Sequence, residues 1–508
     1  MLRHLTAISK ELGRQVGVLL SRDGAVRSVI VGDATHLVIP EIGRLRGKAG
    51  RFRGLRLIHT HLRGEELTQD DLSDLTLLRL DLIAAVQVEG ETEGLPGAIE
   101  IAHILPGTDA VSDRAEPFRR IRARDIYHLD FDCELEIRAL ESEFSKMAGR
   151  NSGERGKERA LIIAVSPDQG SVEETRELAE SAGVEMVGVV LQKGRKIHPS
   201  TVVGRGKLQQ IVLEGMRRGA DVAIFDIDLK PAQARAFEDN TGLKAVDRTQ
   251  LILDIFAQRA QSGDGKLQVE LAQLKYSLPR LTEKDAGLSR LTGGIGGRGP
   301  GETVLEIGRR RTFDRIRSLE RRIEQLSRQR GLRRQRRRRE GLPTLSIIGY
   351  TNAGKSTLLN ALTESHIQAA DKMFVTLDPT SRRLRFPREG DVIITDTVGF
   401  IRDLPPDLMT AFRATLEELS DADLLFHVVD ASDPLAERKM DAVMRVLTDL
   451  KLCEIPRLVV LNKSDLVDPA HLETLCKRIE GIAVSALKRE GLEQLIQEAE
   501  KALELRKD

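Results

Sequence analysis

The chain has 508 residues, 31% of them charged and 40% hydrophobic, and its formal net charge is +1. This length predicts about three domains that each bury a core of their own. No apolar run approaches the roughly 18 to 20 residues of a membrane span, and the first residues lack a secretory signal, so we expect a cytoplasmic protein. We also expect a monomer. Three widely spaced cysteines, Cys133, Cys453 and Cys476, argue against a disulfide framework or a cysteine zinc cluster.

Residues 1–145 are predicted to form a separate α+β domain whose role the sequence leaves open. Strand patterns at 16–20 and 26–31 flank a glycine-containing turn at 22–24, which predicts a β-hairpin. The following stretch, 146–159, is polar and contains glycine, as is typical of a linker. We therefore expect this N-terminal domain to be set apart from the rest of the chain.

A third strand pattern in this domain, at 57–61, ends in His59 and His61, and Thr68 and Asp71 follow it. This order resembles the zinc site of JAMM-type metallohydrolases. The spacing is one residue shorter than in that family, no proline follows His61, and no partner glutamate is apparent. Because two histidines on one strand are more often structural or surface residues, a structural role is the preferred interpretation and metal binding is the alternative.

Residues 160–262 are predicted to form a small parallel α/β subdomain, because apolar strand patterns alternate with polar helical stretches. The strand patterns lie at 161–165, 184–191 and 221–225, and the helical stretches at 171–182 and 206–218. The glycines at 204 and 206 are too short a signal for a phosphate loop, so we do not expect the nucleotide site in this subdomain.

Residues 263–340 are predicted to form an α-helical hairpin. Two stripes of apolar residues recur at helical spacing, namely Leu267, Leu271, Leu274 and Leu278, and Ile316, Leu319, Ile323 and Leu326. Between them lies a glycine-rich stretch, 291–303, that is incompatible with a helix and is expected at the tip of the pair.

The second arm of this hairpin, from 309 to 339, is crowded with arginine. An electropositive arm beside a glycine-rich tip favours contact with RNA phosphates over an ordinary solvated face. Aromatic residues are scarce there, which argues against base stacking. The predicted RNA contacts are Gly293, Gly294, Gly296, Gly297, Arg298, Arg333, Arg334, Arg336 and Arg337.

Residues 341–508 carry the motifs of a GTPase (G) domain. The segment 349–356 fits G-x-x-x-x-G-K-[ST] between a strand pattern and a helical pattern. In such a loop, backbone N–H groups face the phosphates, Lys355 reaches the β- and γ-phosphate oxygens, and Ser356 binds Mg²⁺. A buried-strand pattern places Asp396 to hold Mg²⁺ through water, and the N–H of Gly399 faces the γ-phosphate.

A third motif, Asn462-Lys463-Ser464-Asp465, predicts the base. The carboxylate of Asp465 can accept from N1–H and the N2 amine of guanine, whereas adenine has no such donor pair. Asn462 is expected to support the neighbouring segments, and the stem of Lys463 to cover the ring. The backbone of Ser485-Ala486 is expected to donate to O6.

The stretch 374–380 has no helical period and is predicted to be a mobile switch that closes on the γ-phosphate. Thr376 would serve Mg²⁺ and the nucleophilic water, and Thr380 is the competing candidate. Phe400 stands where many GTPases have a glutamine that orients water, which predicts slow intrinsic hydrolysis. Asn352 is a candidate to hold K⁺ against the phosphates, and its alternative role is to shape the loop.

The predicted catalytic residues are Lys355, Thr376, Gly399 and Asn352, and the predicted metal ligands are Ser356, Thr376 and Asp396. The predicted GTP contacts are Gly349, Tyr350, Thr351, Asn352, Ala353, Gly354, Lys355, Ser356, Thr357, Phe374, Val375, Thr376, Leu377, Asp378, Asp396, Thr397, Val398, Gly399, Asn462, Lys463, Ser464, Asp465, Ser485, Ala486 and Leu487.

From about residue 158 to its end, the chain resembles the HflX family of ribosome-associated GTPases, in the glycine-rich segment 292–303 and in the phosphate loop 349–357 with 374–380 behind it. The resemblance implies GTP and Mg²⁺ binding and docking on the large (50S) ribosomal subunit, with the hairpin loop entering its RNA. It also implies dissociation or rescue of stalled ribosomes, or late subunit maturation, under stress. It implies nothing for residues 1–145.

The expected fold class is therefore α/β. A C-terminal P-loop GTPase domain follows a small parallel α/β subdomain with an α-helical hairpin, and a separate α+β N-terminal domain precedes both. Two other functions stay open, a GTP-dependent binding switch and an RNA-remodelling NTPase that acts on rRNA through the arginine arm. Asp465 argues against an ATP-driven form of the latter.

Overall fold

The computed structural model describes residues 1–37, 39, 52–90, 94–106, 117–150, 157–165, 167, 170–192, 194, 197–283, 304–339, 342–363, 373, 380–386, 390–396, 399–402 and 419–504. Only the backbone is described for residues 147–150, 281–283, 304–306, 330, 332–339, 380, 381 and 421. The chain divides into two compact units, one of residues 1–176 with 183–248 and the other of residues 177–182 with 249–508.

A six-stranded sheet forms the N-terminal part of the first unit. Its elements are α1 (Leu2–Leu12), β1 (Val16–Ser21), β2 (Val26–Val31), β3 (Leu55–His61), α2 (Gln69–Leu77), β4 (Leu82–Glu89), β5 (Leu95–Ile104), β6 (Phe118–Ala123) and α3 (Cys133–Arg150). The strand order is β2-β1-β3-β4-β5-β6, and all neighbours are antiparallel except β3 and β4. The predicted hairpin is confirmed, since β1 and β2 pair across a turn in which Gly24 has a φ of 82°.

Side chains alternate between the two faces of this sheet, and helices cover both faces. Val18 and Leu20 of β1 pack with Leu5 of α1, whereas Leu19 between them faces a larger core that includes α2 and α3. Helix α2 begins with a capping box, in which Thr68 and Asp71 each accept a hydrogen bond from the other's backbone N–H.

A four-stranded parallel sheet completes the first unit. Its elements are β7 (Arg159–Val165), α4 (Ser171–Ser181), β8 (Glu185–Gln192), α5 (Arg205–Arg218), β9 (Val222–Phe225), α6 (Pro231–Thr241) and β10 (Lys244–Val246). The strand order is β10-β9-β7-β8, and all pairs are parallel. The last residues of α4 belong to the second unit. The predicted parallel α/β subdomain is therefore confirmed.

The two sheets of the first unit share an apolar core, which the sequence did not predict. The cluster contains Val212, Leu213 and Met216 of α5 together with Leu72, Leu75 and Phe144 of the N-terminal helices. The N-terminal domain thus has a sheet of its own, as expected, but it is not set apart from the chain that follows.

Polar contacts add to this shared core. The guanidinium of Arg205 at the start of α5 lies 2.8 Å from a carboxylate oxygen of Asp70 and 2.7 Å from one of Asp74. The buried Arg79 donates to the carbonyl of Thr241 at 2.8 Å. An arginine buried this deeply is costly to remove, because its carbonyl partner would lose a shielded hydrogen bond.

The predicted linker, 146–159, begins too early. Helix α3 continues to Arg150, and β7 begins at Arg159, while residues 151–156 lie outside the described part of the chain. The helix extends because Leu140 and Phe144, one turn apart, are both buried and anchor it against the core.

The second unit contains α7 (Arg248–Arg259), α8 (Gly263–Glu283) and α9 (Val304–Arg339). The two predicted apolar stripes meet, with Leu271, Ile316 and Leu319 buried at the contact. Ion pairs flank this seam, at 2.7 Å between Glu270 and Arg315 and at 2.8 Å between Lys275 and Glu320. The glycine-rich stretch between the helices lies outside the described residues.

The C-terminal sheet belongs to the same unit. Its elements are β11 (Thr344–Gly349), α10 (Lys355–Thr363), β12 (Thr380–Phe386), β13 (Gly390–Asp396), β14 (Leu424–Asp430), α11 (Ala436–Asp449), β15 (Arg457–Asn462), α12 (Pro469–Ile479), β16 (Gly481–Ala483) and α13 (Leu492–Glu504). The strand order is β12-β13-β11-β14-β15-β16, and only β12 runs antiparallel to its neighbour. None of the helices in the described ranges combines the length and apolar character needed to cross a bilayer.

Candidate functional site

Four parallel strands end at one edge of the C-terminal sheet, and three of them end in a polar residue. β11 ends at Gly349, β13 at Asp396, β14 at Asp430 and β15 at Asn462. In open α/β sheets, ligands bind in the crevice beside this edge. Side chains that are far apart in the sequence therefore meet there.

Three residues of the loop between β11 and α10 have positive φ values, which are 150° at Gly349, 63° at Asn352 and 88° at Gly354. A Cβ at Gly349 would lie 2.2 Å from the carbonyl oxygen of Val428, and one at Gly354 would lie 2.2 Å from Nδ2 of Asn462. Both positions therefore require glycine for close approach to the neighbouring strands. Asparagine tolerates a positive φ, so this backbone is compatible with a loop-shaping role for Asn352.

Lys355 begins α10 and is only 7% exposed. Its ammonium donates to the carbonyl oxygens of Gly349 at 3.1 Å and Tyr350 at 2.8 Å. Burial lowers the pKa of Lys355 to about 8, although the charge of Asp396 acts in the opposite direction. A buried cation at a helix N-terminus, within a glycine loop, forms an electrostatic site for phosphate.

Ser356 and Asp396 place two oxygen atoms beside this loop. The hydroxyl of Ser356 donates to Oδ2 of Asp396 at 2.9 Å, and Asp396 is completely buried. Hydroxyl and carboxylate oxygens are ligands that Mg²⁺ prefers in nucleotide sites. The donor set therefore fits a magnesium ion held between the phosphate loop and the end of β13.

Asn462 connects the phosphate loop with the far end of the site. Its Nδ2 donates to the carbonyl of Ala353 at 2.9 Å, and its Oδ1 accepts from the N–H of Ala486 at 3.0 Å. The side chain is 2% exposed, so both hydrogen bonds are shielded from water. One amide group thus sets the distance between the loop and the segment that follows β16.

Asp465 accepts a hydrogen bond from the hydroxyl of Ser485 at 2.7 Å, which lowers the pKa of the Asp465 carboxyl. The group is therefore an ionised acceptor at neutral pH. The N–H of Ser485 donates to the carbonyl of Glu490, and that of Ala486 donates to Asn462. A guanine base bound here would therefore share the N–H groups of Ser485 and Ala486 with acceptors of the protein itself.

Asp430 is a site residue that the sequence reasoning missed. Lys463 has a φ of 61°, and its ammonium lies 2.7 Å from Oδ2 of Asp430. This pair fixes the stem of Lys463 next to Asp465. The sequence carried a signal for Asp430 itself, because it ends the mostly apolar run 424–429 as Asp396 ends its own strand, but no local pattern pairs it with Lys463.

Phe400 turns away from solvent and supports the phosphate loop. It is 3% exposed, its N–H donates to Gly349 at 3.1 Å, and its carbonyl accepts from Thr351 at 2.7 Å. The preceding Gly399 lies so close that a Cβ there would be 3.0 Å from the ammonium of Lys355. The backbone of Gly399 therefore lies next to Lys355, and the side chain at position 400 has no polar atom that could orient water.

The structure brings residues 349–357, Asp396, Gly399, 462–465 and 485–487 to the same edge of the sheet. Thr380, the competing switch residue, begins β12. The predicted site residues outside the described part of the chain are Phe374, Val375, Thr376, Leu377, Asp378, Thr397, Val398, Gly293, Gly294, Gly296, Gly297 and Arg298. The other predicted RNA contacts, Arg333, Arg334, Arg336 and Arg337, lie in α9 and are described by their backbone alone.

We expect Gly354→Ala to weaken nucleotide binding, because the added methyl group would displace the amide of Asn462. Gly390→Ala is the matched control, since Gly390 has a φ of 82° but a Cβ there meets nothing within 4 Å. Titration with fluorescent GDP should show a loss of about 5- to 150-fold for Gly354→Ala, which corresponds to about 1–3 kcal/mol for a disrupted buried hydrogen bond. Equal affinities of the two variants would contradict the assigned contact.

Three family models match the chain in succession. The GTP-binding GTPase N-terminal model matches 169–257, the GTP-binding GTPase middle region matches 259–337, and the 50S ribosome-binding GTPase matches 344–463. The last match covers the phosphate loop, Asp396 and the start of the Asn462 motif. Together with the sheet and its site, it defines the C-terminal domain as a P-loop GTPase, and the protein is an enzyme that hydrolyses GTP.

The chain is 48% identical over 352 residues to GTPase HflX of Caldanaerobacter subterraneus, covering 69% of this chain and 81% of that protein. It is 46% identical over 315 residues to GTPase HflX of Escherichia coli, covering 61% and 74% respectively. The chain therefore belongs to the HflX family of GTPases. Among solved structures it is similar to a GTP-binding protein from Sulfolobus solfataricus in complex with GDP, at 25% identity and a TM-score of 0.38, covering 68% of this chain and 99% of that one.

Proposed function

We propose that this GTPase docks on the large ribosomal subunit, and that GTP binding and hydrolysis there drive dissociation or rescue of stalled ribosomes, or late subunit maturation, under stress. The observation that carries the proposal is the match of 344–463 to the 50S ribosome-binding GTPase. It is supported by family membership, since the relatives are GTPases of the same kind.

At the site, we assign the phosphate end to the loop 349–357 and to Lys355, which stabilise the charge that develops on the transferring phosphoryl group. Ser356 and Thr376 would hold Mg²⁺, with Asp396 acting through water, and the ion would supply positive charge beside the phosphates. The N–H of Gly399, which lies against Lys355, faces the γ-phosphate.

At the base end, Asp465 accepts from N1–H and the N2 amine of guanine, and the backbone of 485–487 donates to O6. The Ser485 hydroxyl already aims the carboxylate, so little reorganisation is needed on binding. Asp430 holds the stem of Lys463 over the ring.

The group that orients the attacking water is supplied by the ribosome in this proposal. Phe400 is buried and has no polar atom to offer, so we expect slow hydrolysis without the partner. Asn352 is exposed in the phosphate loop, where its amide oxygen could hold K⁺ at the position that an arginine finger takes in other GTPases.

The exposed side of α9 provides the surface for ribosomal RNA. Its apolar side packs on α8 through Ile316 and Leu319, while arginines project on the other side. The exposed arginines whose side chains are described include Arg309, Arg311, Arg317, Arg321 and Arg322. Such a row suits contacts with phosphates, which carry affinity without reading sequence.

The proposal is tested by sedimenting the full chain with purified 50S subunits through a sucrose cushion. A GTP analogue that resists hydrolysis should pellet the protein with the subunits, and GDP should do so much less. Turnover of GTP should rise when subunits are added, and replacing K⁺ by Na⁺ should lower this stimulated rate if Asn352 holds the cation. A protein that never pellets, and whose rate ignores subunits, would refute the ribosome role.

The arginine surface has its own control in this experiment. Changing Arg317 and Arg321 of α9 to glutamate should weaken sedimentation, because two phosphate contacts become repulsive. Changing the equally exposed Arg438 and Arg445 of α11 alters the net charge by the same amount. If both pairs weaken binding equally, the effect is one of overall charge and α9 is not the contact.

A further inference from the structure

A buried group of metal-ligating side chains lies in the N-terminal domain, far in sequence from the GTP site. His59 and His61 are the last alternate residues of β3, so both point to the face of the sheet that α2 covers. They are 0% and 1% exposed. The first turn of α2 brings Asp71 over them, with 15% of its side chain exposed.

The three side chains converge on one point. Nε2 of His59 lies 2.9 Å from Nε2 of His61 and 3.2 Å from Oδ1 of Asp71, and Nε2 of His61 lies 3.6 Å from Oδ2 of Asp71. Ligands about 2.0–2.1 Å from a tetrahedral zinc ion are separated by about 3.3 Å. The observed separations lie on both sides of that value.

The surrounding hydrogen bonds leave bare atoms facing this point. Nδ1 of His61 lies 3.0 Å from the carbonyl oxygen of Glu65, which can only accept, so the proton sits on Nδ1 and Nε2 carries a lone pair. Thr68 donates to Oδ2 of Asp71 from both its N–H and its hydroxyl at 2.7 Å, which fixes the carboxylate. Partners of this kind orient metal ligands in known sites.

With both imidazoles neutral, one shared proton does not satisfy this arrangement. An N–H on His59 could donate to His61 or to Asp71, but His61 Nε2 and the Asp71 carboxylate would still be two acceptors facing each other at 3.6 Å in a buried place. A cation at the centre is attractive to all three groups at once.

We propose that His59, His61 and Asp71 bind one divalent transition-metal ion, with zinc as the ion that the separations fit. The site ties β3 to the start of α2, and it takes three ligands from the protein. Two imidazoles and one carboxylate form a donor set found for zinc and for iron(II).

Another carboxylate, that of Glu100, lies on the same face of the sheet but has other partners. Glu100 of β5 is in register with Ala85 of β4, which is in register with His59. Its two oxygens accept from the N–H of Leu67 at 2.7 Å and from Arg122 at 3.1 Å. Glu100 therefore holds the loop before α2 in place and is not assigned as a ligand or a base.

The test uses the full chain, freed of metal with a chelator and then equilibrated with Zn²⁺, with Co²⁺ and Fe²⁺ in parallel arms. Elemental analysis should find one ion per wild-type chain, and bound Co²⁺ should show the visible absorption of a low-symmetry site. Asp71→Asn, which keeps the shape of the side chain, and His59→Ala should both lose stoichiometric metal. Thr68→Val should weaken affinity by about 10–100-fold, as is typical for partners of metal ligands.

His103→Ala is the matched control, because His103 is another completely buried histidine of the same sheet and is not part of the group. It should keep the metal, and an unchanged circular dichroism spectrum of each metal-free variant shows that the chain has folded. The proposal is overturned if wild-type protein takes up none of the three ions stoichiometrically. It is equally overturned if folded Asp71→Asn and His59→Ala bind metal as tightly as His103→Ala does.

Discussion

Lys355→Ala should lower ribosome-stimulated GTP turnover by at least about 10²- to 10³-fold, the effect of removing one preorganised charge-stabilising group from an active site. The ammonium sits within hydrogen-bonding distance of two loop carbonyls, at the place where the β- and γ-phosphates are proposed to lie. Turnover measured with and without 50S subunits is the readout.

The same change should leave the melting temperature of the nucleotide-free protein nearly unchanged, because the two hydrogen bonds that are lost and the desolvation penalty that is relieved oppose each other. Burial lowers the pKa of Lys355 from 10.5 to about 8, so its charged form opposes folding at neutral pH, and this penalty fades as pH rises from about 8 toward 10.5. Activity should therefore fall without a loss of stability.

Lys477→Ala is the control for this substitution, because Lys477 is an exposed lysine of α12 in the same domain. It should affect neither rate nor melting temperature. Turnover by Lys355→Ala above about one tenth of the wild-type rate would be incompatible with a direct role on the phosphates.

Asp465→Asn should lower GTP affinity by about 10²- to 10⁴-fold, since two hydrogen bonds to a charged acceptor are lost at about 1.5–3 kcal/mol each. The amide still accepts from Ser485, so the local fold is retained. Because its N–H can donate to the C2 carbonyl of xanthine, the variant should prefer XTP to GTP. Competition of GTP, XTP and ATP against fluorescent GDP measures this change.

Asp468→Asn provides the control three residues further on. Asp468 caps α12 by accepting from Ala470 and His471, and asparagine caps helices equally well. Its nucleotide preference should match that of the wild type. If Asp465→Asn keeps the preference for GTP over XTP, the carboxylate does not read the base, and the assignment of guanine would rest on the family alone.

The parts of the fold that depend on local sequence were predictable. Glycine spacing and a strand-to-helix change of period identify the loop before Lys355, because that loop is built by its own backbone. The strand and helix patterns also gave the parallel subdomain and the two stripes of α8 and α9. These features need no knowledge of which distant segments become neighbours.

Contacts between distant segments were harder to predict. The pair of Lys463 and Asp430 requires that β14 and β15 be adjacent, and no local pattern says so. The approach of Asp71 to two histidines likewise depends on how α2 returns over β3. The comparison with JAMM-type metallohydrolases used the number of residues between His61 and Asp71. The position of Asp71 is set instead by the capping box at Thr68, which begins α2.

Helix α5 illustrates the same limit in its packing. Leu208 and Ile211 face the parallel sheet, while Val212 and Met216 face the N-terminal domain. The sequence shows a helix with a broad apolar surface, but a broad surface does not reveal that two different cores divide it.

Through this divided helix, the first 145 residues cover apolar side chains of the region that follows. A chain shortened to start after them would expose Val212, Leu213 and Met216 to water, at roughly 5 to 9 kcal/mol for three large apolar side chains. That amount is comparable with the whole stability of a typical domain, about 5–15 kcal/mol. If a truncated chain lost activity, the cause could be unfolding of the region after residue 145. Single substitutions are therefore the better way to learn what the N-terminal domain contributes.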